Sequence, residues 1–126
     1  MSACSKSPET YIKHINGYWE IENVTLSNGI TKDYLFSETI DFIAINDSWK
    51  GFRKKMKPLF NGTYETSKDA ENLTVKIEDD SLNIYYKTLY SSWKETVLFA
   101  NKTQLKVANK NNDIYTYKRF KPIEIK

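Results

Sequence analysis

The chain has one cysteine, one histidine and four glycines, and these shortages remove most enzyme classes. A single thiol can form neither an intrachain disulfide nor a redox pair. His14 stands alone near the N-terminus, so a Ser-His-Asp or Cys-His arrangement has no general base in the body of the chain. Zinc sites need several His or Cys ligands, and Asp79-Asp80 lacks the spaced acidic pattern of a calcium loop, so no metal and no cofactor is expected. The glycines are isolated at positions 17, 29, 51 and 62, which leaves no glycine-rich phosphate loop. Apolar runs are short, none approaching the roughly 18 residues that a helix needs to cross a bilayer. Charge is balanced as well: 19 basic residues face 16 acidic ones, and a net charge of +3 makes no field that calls for nucleic acid.

What the 126 residues do have is 40% hydrophobic and 14% aromatic side chains, in short runs broken by Asn, Asp, Ser and Gly. That is the make-up of a folded β domain, and the length suits one domain. Turn signals recur at Ser27-Asn28-Gly29, Asn46-Asp47-Ser48, Asn61-Gly62, Ser67-Lys68-Asp69, Asp79-Asp80-Ser81, Ser91-Ser92, Asn101-Lys102 and Asn109 to Asp113. Between them the period is two. Leu73, Val75 and Ile77 alternate with Thr74, Lys76 and Glu78, and Leu82, Ile84 and Tyr86 alternate with Asn83, Tyr85 and Lys87, which predicts a hairpin around Asp79-Asp80-Ser81. Helical signals are weak, with one turn conceivable from Pro8 to His14 and another from Ser67 to Asn72. The pattern therefore predicts an all-β fold, either a two-sheet sandwich or an antiparallel up-and-down β-barrel of about eight to ten strands. Closure is preferred because it leaves no open sheet edge.

Two stretches carry family resemblances. Gly17-Tyr18-Trp19 opens the first convincing strand, and Tyr115-Thr116-Tyr117-Lys118-Arg119 ends the last. The pairing resembles the lipocalin superfamily, in which a Gly-x-Trp plugs the closed end of a barrel and a basic residue of the last strand packs over the indole. The resemblance implies a lipocalin-like barrel closed by Gly17, Trp19 and Arg119, with a cation–π contact between the last two. It spans residues 15 to 120 and is strongest toward compact bacterial lipocalin-like lipoproteins. Near the N-terminus, Ser2-Ala3-Cys4 resembles the end of a bacterial lipoprotein signal, where the cysteine is acylated. On that reading residues 1 to 14 are a flexible tether on a lipidated Cys4, residues 15 to 126 are the barrel, and the protein is lipid-anchored in the bacterial cell envelope, where nucleic acid is not a partner.

With closure, the inward positions expected to line a ligand site are Ile21, Phe42, Tyr64, Val75, Ile77, Tyr86, Trp93 and Tyr117, with Glu95 on the parity of Trp93. A barrel of this size is either filled or holds one small ligand. Lys50-Gly51-Phe52-Arg53-Lys54-Lys55-Met56-Lys57 follows Trp49 and reads either as a basic patch of Lys50, Arg53, Lys54, Lys55 and Lys57 that grips an anionic group or an acidic partner, or as a solvated edge strand whose lysines discourage aggregation. Two functions follow. In the first, a non-enzymatic lipoprotein holds a small, largely apolar molecule in the barrel. In the second, a packed barrel docks a protein partner on the Trp49 to Lys57 surface. An enzymatic reading would need a carboxylate with a perturbed pKa in the pocket.

Overall fold

The computed structural model describes residues 8–34, 39–59, 63–66 and 70–120. It opens with a helix, α1 (Glu9–Ile15), and continues through β1 (Gly17–Thr25), β2 (Thr31–Asp33), β3 (Ile40–Ile45), β4 (Lys50–Pro58) and β5 (Tyr64–Thr66). Then come β6 (Glu71–Glu78), β7 (Ser81–Lys87), β8 (Ser92–Ala100), β9 (Gln104–Ala108) and β10 (Ile114–Arg119). Each strand pairs antiparallel with its neighbours.

The ten strands occupy eight places around a closed barrel. β2 and β3 lie one after the other along the same edge of β1, through Thr25↔Thr31 and then Trp19↔Asp41. In the same way β5 and β6 share one edge of β4. The sheet then runs β6-β7-β8-β9-β10 and closes where β10 pairs with β1, Trp19 opposite Arg119. The up-and-down connection sends alternate links to opposite ends. The β3–β4, β6–β7 and β8–β9 turns share one end, and the β1–β2, β4–β5, β7–β8 and β9–β10 links share the other.

Local chemistry explains the turns. In β6–β7 the pairing Glu78↔Ser81 leaves two loop residues, Asp79 at φ 50° and Asp80 at φ 65°, the left-handed pair that matches strand twist in the tightest hairpins. At the β3–β4 turn, Asn46 Oδ1 accepts from the Ser48 and Lys50 amides. Gly51 follows, and a Cβ there would stand 1.8 Å from the Ala44 carbonyl oxygen, so β3 and β4 approach as closely as they do only because position 51 has no side chain.

The core fills the end of the barrel under α1. Trp19, Ile43, Leu73, Val75, Leu82, Ile84, Val97, Leu105 and Val107 are buried there, and Ile15 of α1 is fully buried among them. Tyr11 and Ile12 pack on the same cluster, and Tyr11 meets Phe99 edge-on at 6.0 Å. The tether expected over residues 1 to 14 is thus cut short: residues 9 to 14 belong to a helix held by apolar burial. Cys4 lies outside the described residues.

Candidate functional site

At the end covered by α1, Gly17 sits at φ +126°, a conformation that favours glycine, and a Cβ there would lie 2.5 Å from Arg119 Nη1. The space belongs to the guanidinium. Arg119 lies 3.9 Å over the Trp19 ring and donates to the carbonyls of Asn16 (2.7 Å), His14 (2.7 Å) and Lys102 (3.1 Å). Trp19 Nε1 donates to the Ile15 carbonyl at 2.8 Å. One arginine and one indole therefore satisfy the His14, Ile15 and Asn16 carbonyls at the C-terminal end of α1 and seal the barrel base. These contacts are structural.

Toward the other end the interior becomes polar. Arg53 of β4 reaches inward, donating from Nε to Glu71 at 2.6 Å, standing 3.6 Å from Glu95, and lying 4.2 Å over the Tyr86 ring. Trp93 stacks on Tyr86 with ring centres 5.3 Å apart, so Arg53, Tyr86 and Trp93 form one pile. Burial disfavours the charged Arg53, but Tyr86, Glu71 and Glu95 more than offset this and hold its pKa above the usual arginine value. Burial raises Glu95 above the usual carboxylate value, with Arg53 pulling the other way. Burial likewise raises Tyr86 and Tyr117, which stay neutral phenols. The cavity among these groups is about 10 Å³, room for one water at most.

Above that layer a chamber of about 240 Å³ opens toward solvent. Trp19 forms its floor, Ile21, Tyr115 and Tyr117 form one wall, and Tyr34 and Thr39 stand at the rim. The opposite wall is an ion pair: Lys55 Nζ donates to Asp41 Oδ1 at 2.8 Å, with the Asp41 side chain 7% exposed and that of Lys55 67% exposed.

Two of the eight expected lining residues, Ile21 and Tyr117, lie on this chamber. Tyr86 lines the small cavity beneath, as does Glu95. Val75 is in the packed core, Ile77 packs against it, and Trp93 is half-buried at the edge of the barrel. Phe42 and Tyr64 do not face inward. Phe42 pairs with Tyr18 and Lys54, on the face opposite Trp19, Asp41 and Ile43. Its ring lies 4.8 Å from Tyr18 and 5.9 Å from Phe52, while Tyr64 stacks on Tyr18 at 5.3 Å. The expected basic patch is divided for the same reason. Arg53 and Lys55 turn into the barrel, Lys57 shares their parity opposite Glu65, and Lys54 turns out, as does Lys50 opposite Thr74. No single basic surface results.

Asp41, Tyr34 and Thr39 were not anticipated. Asp41 sits in the run Ile40-Asp41-Phe42-Ile43-Ala44-Ile45, where the apolar residues fall on both parities and hide the phase. Its pairing with Trp19 would have revealed it, since cross-strand partners share a face.

The barrel can be set beside known proteins. A lipocalin-like protein from Bacteroides uniformis superposes with a TM-score of 0.53 at 7% identity, covering 85% of this chain and 99% of that one. The fold is lipocalin-like. An uncharacterised protein from Bacteroides eggerthii superposes with a TM-score of 0.52 at 11% identity, covering 83% of this chain and 98% of that one. No protein-family model matches the sequence. No curated protein matches it either. At these identities the likeness concerns the lipocalin-like fold, and the chemistry of the site rests on the residues of this chain.

Proposed function

We propose that this chain is a non-enzymatic binding protein whose lipocalin-like barrel holds one small molecule in the chamber above Trp19. The observation that carries the reading is the chamber itself: about 240 Å³, walled by aromatic rings and containing a fixed carboxylate and a movable ammonium. Binding sites combine apolar walls with a few convergent polar groups, and this one does so where the rest of the barrel is packed. Energetics support it. Burying charges such as Arg53, Asp41 and Glu95 gains little stability over apolar packing, because desolvation offsets their attraction, so a polar layer under a cavity is better explained by recognition. The lining favours a compact ligand with a polar group over the largely apolar one expected from the sequence.

The same proposal includes anchoring of the protein in a bacterial envelope by a lipid on Cys4, supported by Ser2-Ala3-Cys4 and by α1, which joins that segment to the closed end.

Native mass spectrometry of the full chain, followed by organic extraction, tests the binding reading. A stoichiometric adduct is expected, lost in an Ile21→Trp variant that fills the chamber and keeps its melting temperature. A variant that still carries the adduct would place binding elsewhere and overturn the reading. For the anchor, an acyl mass increment expected on Cys4 in membrane extracts must vanish in Cys4→Ala.

A further inference from the structure

The chamber's own lining carries one acid, Asp41, and one base, Lys55. Beneath it, Arg53 and Glu95 line the small cavity. Arg53 is taken by Glu71 at 2.6 Å and lies near Glu95 at 3.6 Å. Among the described residues Asp41 forms its ion pair with Lys55, and the two partners differ in kind. The carboxylate is held in the wall of β3 on a side chain 7% exposed, whereas the ammonium sits at the end of a four-carbon stem and is largely in solvent. Lys55 can swing into solvent by rotation of its stem, whereas the Asp41 carboxylate is packed in the wall.

The rings around that carboxylate belong to Trp19, Tyr34, Tyr115 and Tyr117. Aromatic faces attract organic cations through their quadrupoles, most strongly when water is excluded, and a carboxylate among them strengthens the preference. A metal ion lacks ligands here, since the described residues hold no group of three His, Cys, Asp or Glu side chains arranged for one. An anion meets the buried Asp41 carboxylate, and a neutral molecule leaves the Asp41–Lys55 pair in place.

Resting on the binding reading above, we propose that the chamber takes a small organic cation, an ammonium or amidinium group on a compact apolar body, which displaces the Lys55 ammonium from Asp41. Lys55 is then a resident stand-in that keeps the acid paired while the site is empty. Liquid water would fill 240 Å³ with about eight molecules, which sets the ligand at roughly that many non-hydrogen atoms.

Three probes of matched size test the sign: benzylammonium, benzyl alcohol and benzoate, titrated into the full chain by calorimetry and by two-dimensional NMR. Benzylammonium is expected to bind at least about tenfold more tightly than either, with shifts centred on Ile21, Tyr115 and Tyr117. Asp41→Asn should weaken it by about tenfold, and Lys55→Met, which removes the competitor and keeps the acid, should tighten it by about fivefold. The second variant keeps the test decisive if the first fails to fold. Weaker binding in Lys55→Met would overturn the displacement model. Tighter binding of benzoate or benzyl alcohol would overturn the assigned charge while leaving a binding barrel. Absence of chamber shifts with all three probes would overturn this proposal, and the adduct experiment would then decide on the binding reading independently.

Discussion

The two ends of this barrel solve different problems with the same strands. Beneath α1, eleven buried apolar side chains, among them Trp19, Leu82 and Ile15, pack together, and the one guanidinium at the seal, Arg119, is matched to carbonyls, as is the Trp19 indole. Toward the mouth, the inward positions of the same β-strands hold Arg53, Asp41, Glu95, Tyr86 and Tyr117, and the packing opens into a chamber. The closed end repays its side chains in stability. The open end keeps charges out of water at little net gain, which is the pattern of a site.

The comparison breaks most readily at Trp19. Trp19→Ala should cost about 3–5 kcal/mol in denaturant unfolding, whereas Ile21→Ala, one inward step toward the mouth, should cost only about 1 kcal/mol. Equal losses would mean that the two ends are not energetically distinct. Gly17→Ala comes next, at about 2 kcal/mol, because the added methyl must both hold a positive φ and push against Arg119 Nη1. A smaller loss would show that Arg119 can yield without releasing the α1 carbonyls.

Protonation sharpens the contrast. Glu95 faces Arg53 of β4, Tyr86 of β7, Asp41 of β3, Glu71 of β6 and Tyr117 of β10, and burial lifts its pKa above the ordinary 4.5. The folded protein then binds this proton more tightly than the unfolded chain does. Its contribution is fully present below pH 4.5 and is lost as pH rises through the folded value. In Glu95→Gln this downward slope should disappear from the stability profile. An unchanged slope would move the titration to another group. The smallest effect is expected at the rim, where Leu89 and Tyr90 are 92% and 95% exposed: serine at either should shift stability by no more than about 0.5 kcal/mol.

Much of this was legible beforehand. The hairpin at Asp79-Asp80, the turn after Ile45, the closing pair Trp19 and Arg119, and an antiparallel barrel of about eight to ten strands follow from turn chemistry, period-two strands and the two end motifs, while the sharing of edges that leaves eight places does not. The inward course of β6 and β7 was equally plain, because Leu73, Val75, Leu82 and Ile84 alternate cleanly with polar residues. The site was less legible. In β3 apolar residues occupy both parities, and in β4 basic residues do, so neither strand declares which face is inside. Phe42 was therefore placed inward in the position that Asp41 holds, and Arg53 and Lys55 were placed on a surface that they leave.

By itself the sequence determined the strand period, most of the turns and the residues that seal one end, because these depend on neighbours a few positions apart and on side chains of distinctive chemistry. Only the tertiary structure decided the phase of β3 and β4, the folding of residues 9 to 15 onto the barrel, and the meeting of Asp41, Lys55, Tyr34 and Tyr117 around one chamber. Alternation fixes that successive side chains face opposite ways, but which set faces inward is set by pairing across strands, and a slip of one residue exchanges the two.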